Sequence, residues 1–148
     1  MMDLILQGAG GLDLILTAMR VAVGTFFAIS GYHKLFNATR RKTFIATMRA
    51  DGIPMLEFNI WFVPGVELMA GLGVAVGLLT VLSATGLLAI CAVAFVVDGI
   101  KTIARYEPLD LADWLDDALY LPETLYCLML AIFIAGGGGF LSIDGLLF

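Results

Sequence analysis

The stretch at residues 57–104, EFNIWFVPGVELMAGLGVAVGLLTVLSATGLLAICAVAFVVDGIKTIA, decides the fold. A helix needs about 20 apolar residues to cross roughly 30 Å of hydrocarbon, and this stretch supplies that length twice. Its apolar residues run on without strict alternation, which favours helices over the strands of a barrel. The break near Thr80 is too short for anything but a tight turn. Two spans, at about 57–79 and 81–104, therefore form a hairpin.

Working outward, LDLILTAMRVAVGTFFAISGYHKL at 12–35 reads as an earlier span, and a fourth runs at about 118–140 into the glycines Gly136 to Gly139. The chain is 61% hydrophobic and only 14% charged over 148 residues, with mean hydropathy +1.00. Polar groups this sparse cannot cover a water-facing surface, so the solvent is lipid. The expected fold is all-α: one domain over 1–148, an integral membrane four-helix bundle with short interfacial helices in the first and third loops. The start, MMDLILQGAGG, has no basic residue before its apolar run and is not read as a cleaved signal peptide.

Seven of the eight Lys and Arg residues lie on the side of the first and third loops. The positive-inside rule makes that side cytoplasmic and puts the termini outside. No nucleotide-binding loop or nucleophile elbow is present, because the glycine run lacks a following Lys-Ser/Thr and ends a helix. A lone histidine, His33, leaves no second imidazole for a haem held within one bundle. No His, Cys and carboxylate group has metal-ligand spacing, so no metal is expected on this chain alone. Cys91 and Cys127 read as small buried side chains rather than a thiol relay, with a cross-helix disulfide as the remote alternative.

Ionisable residues at membrane depth remain. Each costs about 2.5 to 3.5 kcal/mol at a helix centre on insertion scales, so each should be paired or turned inward. Counting about 1.5 Å per residue from the expected span ends puts Arg20 and Glu67 close enough in depth to pair between the first two spans. That pair is either a bolt that sets helix register or part of a site for a quinone head group, a proton or a small solute. A second polar cluster is expected toward the cytoplasmic ends, from His33, Lys34, Asp98, Lys101 and Glu123, with Lys101 able to neutralise Asp98 three residues away.

The first loop, FNATRRKTFIATMRADGIP, reads as an amphipathic interfacial helix. Phe44, Ile45 and Met48 share one face, and Arg40, Arg41, Lys42 and Arg49 are available to lipid phosphates. The third loop, EPLDLADWLDDALYLPE, repeats the device with Leu111, Trp114, Leu115, Ala118 and Leu119. Its other face, Asp110, Asp113, Asp116 and Asp117, would be repelled by anionic lipid, so it meets water or a basic partner. Small residues at Gly24, Ala28, Gly31, Gly73 and Gly77 permit close helix approach within the bundle or in a homo-oligomer.

The order of these features resembles the DoxX family of four-span bacterial membrane proteins. It runs from Arg20 through Gly31, Lys34 and Leu35, then Gly52 to Pro54, Glu67 with Gly71, Gly73 and Gly77, and Glu123, to the ending GGGFLSIDGLL. The resemblance implies the bacterial inner membrane and a redox setting, since members are similar to the small subunit of a thiosulfate:quinone oxidoreductase. It supplies no shared catalytic residues, and the acidic stretch from Glu107 to Asp117 departs from the family pattern. The expected function is an accessory membrane subunit of a respiratory or quinone-linked oxidoreductase complex, with no activity of its own. Its partners would be lipid and other subunits or further copies, not nucleic acid, and quinone is the one cofactor left open. The alternative is a small proton-coupled exporter using Glu67 or Asp98.

Overall fold

In the computed structural model, which describes residues 2–139 and 141–147, with side-chain surroundings from residue 11 onward, every element is helical. Helix α1 is Met2–Phe36 and α2 is Ala38–Ala50. Then come α3, Leu56–Val76, and α4, Thr80–Ala94. A single π turn, Phe95–Gly99, carries α4 into α5, Ile100–Tyr106. The chain ends with α6, Leu111–Tyr120, α7, Pro122–Gly136, and the short α8, Ile143–Leu147.

Local chemistry sets the boundaries. The Asn37 side chain accepts the amides of Thr39 and Arg40, both at 3.1 Å, and so starts α2 within one residue of the end of α1. Gly77 closes α3 in the left-handed region at φ 74°, and the Leu78 amide returns to the Gly73 carbonyl at 2.8 Å. Three residues later α4 begins. Between α6 and α7, Pro122 has no amide hydrogen and holds Leu121 extended, with ψ 134°. The two helices consequently meet at a 71° bend.

That bend corrects the expected fourth span at 118–140. Ala118 belongs to α6, α7 starts only at Pro122, and Phe140 lies outside the described residues. With 15 residues, α7 covers about 22 Å, short of the roughly 30 Å of a full hydrocarbon core. Three spans are long and apolar enough by themselves: Gly11–Phe36, Leu56–Val76 and Thr80–Tyr106. The bent α6–α7 pair passes the same measure only when its two helices are taken together, which gives three to four candidate spans.

Antiparallel packing runs from α1 to α3, from α3 to α4 and from α4 to α7. One buried core joins all four: Val23 and Phe27 of α1, Val74 of α3, Ala84, Leu87 and Cys91 of α4, and Leu130 and Phe133 of α7. Tyr126 of α7 closes the ring by stacking on Phe26 at 4.7 Å and meeting Phe27 edge-on at 5.2 Å. A smaller core of Ile103, Ala118 and Leu121, flanked by Phe95 and Trp114, fixes α6 against α5. Large apolar side chains such as Ile29, Trp61, Met69, Leu82 and Val96 stay on the outside, where lipid replaces water.

The α1–α3 contact is backbone on backbone. A Cβ on Gly24 would meet the Gly71 carbonyl oxygen at 2.6 Å, one on Gly71 the Gly24 carbonyl oxygen at 2.8 Å, and one on Gly31 the Pro64 carbonyl oxygen at 2.6 Å. No side chain can yield there, so these glycines fix the register of the two helices. Gly71→Ala is expected to destabilise the bundle by about 1–3 kcal/mol, the usual cost of overpacking. An unfolding titration in detergent measures it, and an unchanged midpoint would refute the close contact.

Candidate functional site

Register decides which buried charges meet. Gly24 and Gly71 bring Arg20 level with Gly77 at the α3–α4 turn, whereas Glu67, ten residues before Gly77, lies about 15 Å further along the bundle. Arg20 and Glu67 therefore do not pair. The sequence-based depth was counted from assumed span ends, but the glycine contacts set the true offset.

Glu67 instead faces the last turns of α1. Lys34 Nζ lies 2.7 Å from both carboxylate oxygens, and the Ser30 hydroxyl donates to Oε2 at 3.3 Å. Glu67 is 4% exposed, so this is an ion pair largely withdrawn from solvent. Ser30 was missed in the sequence, though its position four residues before Lys34 puts both on one helix face.

Arg20, 2% exposed, is held at two of its three side-chain nitrogens by the segment after α7, while its Nε has no hydrogen-bond partner. Its Nη1 donates to the Gly138 carbonyl at 2.8 Å and its Nη2 to the Leu141 carbonyl at 2.7 Å. The guanidinium occupies the space that any side chain at position 77 would need. Beyond it, the Asp144 carboxylate accepts the amides of Leu79 and Thr80, both at 2.7 Å, and so caps α4 from a distant part of the chain. Burial works to raise the Asp144 carboxyl, but the Thr80 and Leu79 hydrogen bonds and the charge of Arg20 outweigh it and hold it below its ordinary value.

The expected polar cluster is not brought together. Lys34 is committed to Glu67, and Lys101 reaches Asp51 after α2 at 2.9 Å instead of Asp98. Asp98 sits exposed in the π turn, and Glu123 is half-buried in the first turn of α7. Exposed His33 lines a crevice with Lys34. This crevice, about 470 Å³, lies between α1, which contributes Phe26, Ile29 and Ser30 besides those two, and α2, which contributes Arg40, Thr43, Phe44 and Thr47. Arg41 leaves the crevice to lie over the Trp61 ring at 3.7 Å, and Lys42 is exposed.

On α6, Asp110 caps the helix by accepting the Asp113 amide at 2.9 Å, and Asp113 accepts the Leu109 amide at 3.2 Å. Asp116 is exposed and Asp117 half-buried. Cys91 of α4, buried, and Cys127 of α7, half-buried, are free thiols. Among the described residues no three His, Cys, Asp or Glu side chains are placed to hold a metal ion.

The glycine-set α1–α3 pair, Lys34 and Glu67 all fall within residues 15–99, which match the DoxX family over more than half of the chain. The chain belongs to the DoxX family. No curated protein and no solved structure matches it. As a DoxX protein with several apolar helices it is a multi-pass membrane protein in contact with the lipid bilayer.

Two outcomes test these centres. Removing one member of the Lys34–Glu67 pair, as in Lys34→Ala, is expected to cost about 3–5 kcal/mol by stranding a buried charge, while Lys34→Met with Glu67→Leu restores most of that loss. An SDS unfolding titration that finds the double variant as unstable as the single one would contradict a simple ion pair. The second test is pH. With its folded-state carboxyl held below the ordinary 3.8, Asp144 contributes stability that is fully present above that value and lost as pH falls through the depressed one. The thermal midpoint should fall less steeply on acidification in Asp144→Asn than in the parent chain.

Proposed function

We propose that this DoxX protein is an accessory subunit of a quinone-linked oxidoreductase complex in the bacterial inner membrane, with α2 and α6 on the cytoplasmic side. Its role is to anchor and stabilise partner subunits, which carry the electron-transfer groups and the quinone chemistry. The placement of Lys34, Arg40, Arg41, Lys42, Arg49, Lys101 and Arg105 toward the α2–α6 end supports this orientation.

The observation that carries the reading is α6. Ile103, Ala118, Leu121 and Trp114 hold this helix on the bundle, so its acidic side is presented in a fixed position at the membrane surface. Asp116 projects from it exposed. A negatively charged helix beside an anionic membrane gains from a basic protein surface opposite it. Glu67, which the exporter reading would use as its proton carrier, already has both oxygens engaged by Lys34.

Extraction from the native membrane in mild detergent, affinity purification and mass spectrometry provide the test. The expected result is co-purification of redox subunits in fixed ratio, lost in Asp116→Lys/Asp117→Lys while the bundle stays folded. Recovery of the chain alone, or only with further copies of itself, would overturn the subunit role and favour transport assays on Glu67 and Asp98.

A further inference from the structure

The α1–α2 crevice has donors to spare and few acceptors. Lys34 uses the carboxylate of Glu67 and retains hydrogen-bonding capacity on its ammonium, which has three donors. Among the described residues no side-chain hydrogen bond or ion pair engages the Arg40 guanidinium, although it lines the same space. His33 adds a ring N–H. The Thr43 and Thr47 hydroxyls donate to the backbone carbonyls of Thr39 and Thr43, at 3.2 and 3.1 Å, and the Ser30 hydroxyl donates to Glu67. The donors this crevice offers suit an acceptor-rich anion.

The remaining walls are apolar. Phe26 and Ile29 are exposed and lie one to two turns deeper along α1 than Lys34. A ligand that fills the crevice has its anionic part near Arg40 and Lys34 and its apolar part against those two side chains. The volume, about 470 Å³, falls within the range of about 300–1,000 Å³ typical of small-molecule sites. A quinone ring is neutral and would leave the Arg40 charge unmatched. Free phosphate would make no use of the apolar wall that Phe26 and Ile29 give the crevice.

From this we infer that the crevice is a specific site for one anionic phospholipid, its phosphate held by Arg40 and Lys34 and its acyl chain lying along Phe26 and Ile29. The site goes beyond the anchoring role and does not depend on it. It also differs from diffuse attraction of the basic α2 to the membrane, because only the crevice residues discriminate.

Native mass spectrometry of the purified full chain, supplied with equal amounts of dioleoyl phosphatidylglycerol and dioleoyl phosphatidylcholine, tests this. One phosphatidylglycerol is expected to stay bound in preference to phosphatidylcholine. Arg40→Gln should weaken its retention about tenfold, the loss of one charged hydrogen bond. Lys42→Gln, on the same helix but outside the crevice, should not. Equal weakening by the two substitutions would reduce the effect to diffuse charge and overturn the site. So would equal retention of the two lipids, displacement of the lipid by inorganic phosphate alone, or displacement by decylubiquinone that is insensitive to Arg40→Gln.

Discussion

The backbone contact between α1 and α3 is the constraint on which the rest of the structure depends. Inside a bilayer, apolar side chains gain little by leaving lipid for protein, so helix association rests on close van der Waals packing and on buried polar contacts. Gly24, Gly31 and Gly71 allow the first. By fixing register they also decide the second: Lys34 arrives at Glu67, and Arg20 arrives at the turn end beside Gly77. Slide α1 by one turn against α3 and both arrangements are lost together. Packing and charge placement are thus a single device.

The two buried charges are held in different ways. Glu67 receives a full opposite charge from Lys34, whose long apolar stem lets it reach inward from the last turn of α1 instead of outward to head groups. Arg20 receives only dipoles, the carbonyls of Gly138 and Leu141, with Asp144 close behind. Those carbonyls are free because the chain leaves helical geometry after Gly136. The glycine run therefore serves as more than a helix stop. It supplies one of the two carbonyls, that of Gly138, on which the buried arginine is held.

Much of the fold could be read from hydropathy. The hairpin around Thr80, the Asn37 cap, the helix after the first span and the amphipathic helix after the third all depend on local sequence. The breaks that were misread depend on a balance of local and distant forces. Pro122 was visible, but the apolar run across it masked the bend that α6 takes to pack Ala118 and Trp114 against Ile103. The pairing errors share one cause. Depth counting and i to i+3 spacing rank partners by proximity along one helix, yet Lys101 prefers Asp51, fifty residues away. Glu67 likewise finds its partner near the far end of α1. Asp144 as the cap of α4 had no sequence signal at all, since a cap delivered from a remote segment leaves no local pattern.

The two ends of the bundle are unequal in a way that bears on function. At the turn end, the two terminal Arg20 nitrogens, Asp144, Ser142 and the first α4 amides are engaged, Arg20 Nε is buried without a partner, and the cavity beside Arg20 holds only about 40 Å³. That is room for a water rather than a ligand. At the α2–α6 end Lys34, the partner of Glu67, lines the large crevice together with Arg40, and α6 packs on α5 through Ile103, Ala118 and Leu121. The turn end is therefore a fastening of the bundle, and the larger open space lies at the α2–α6 end.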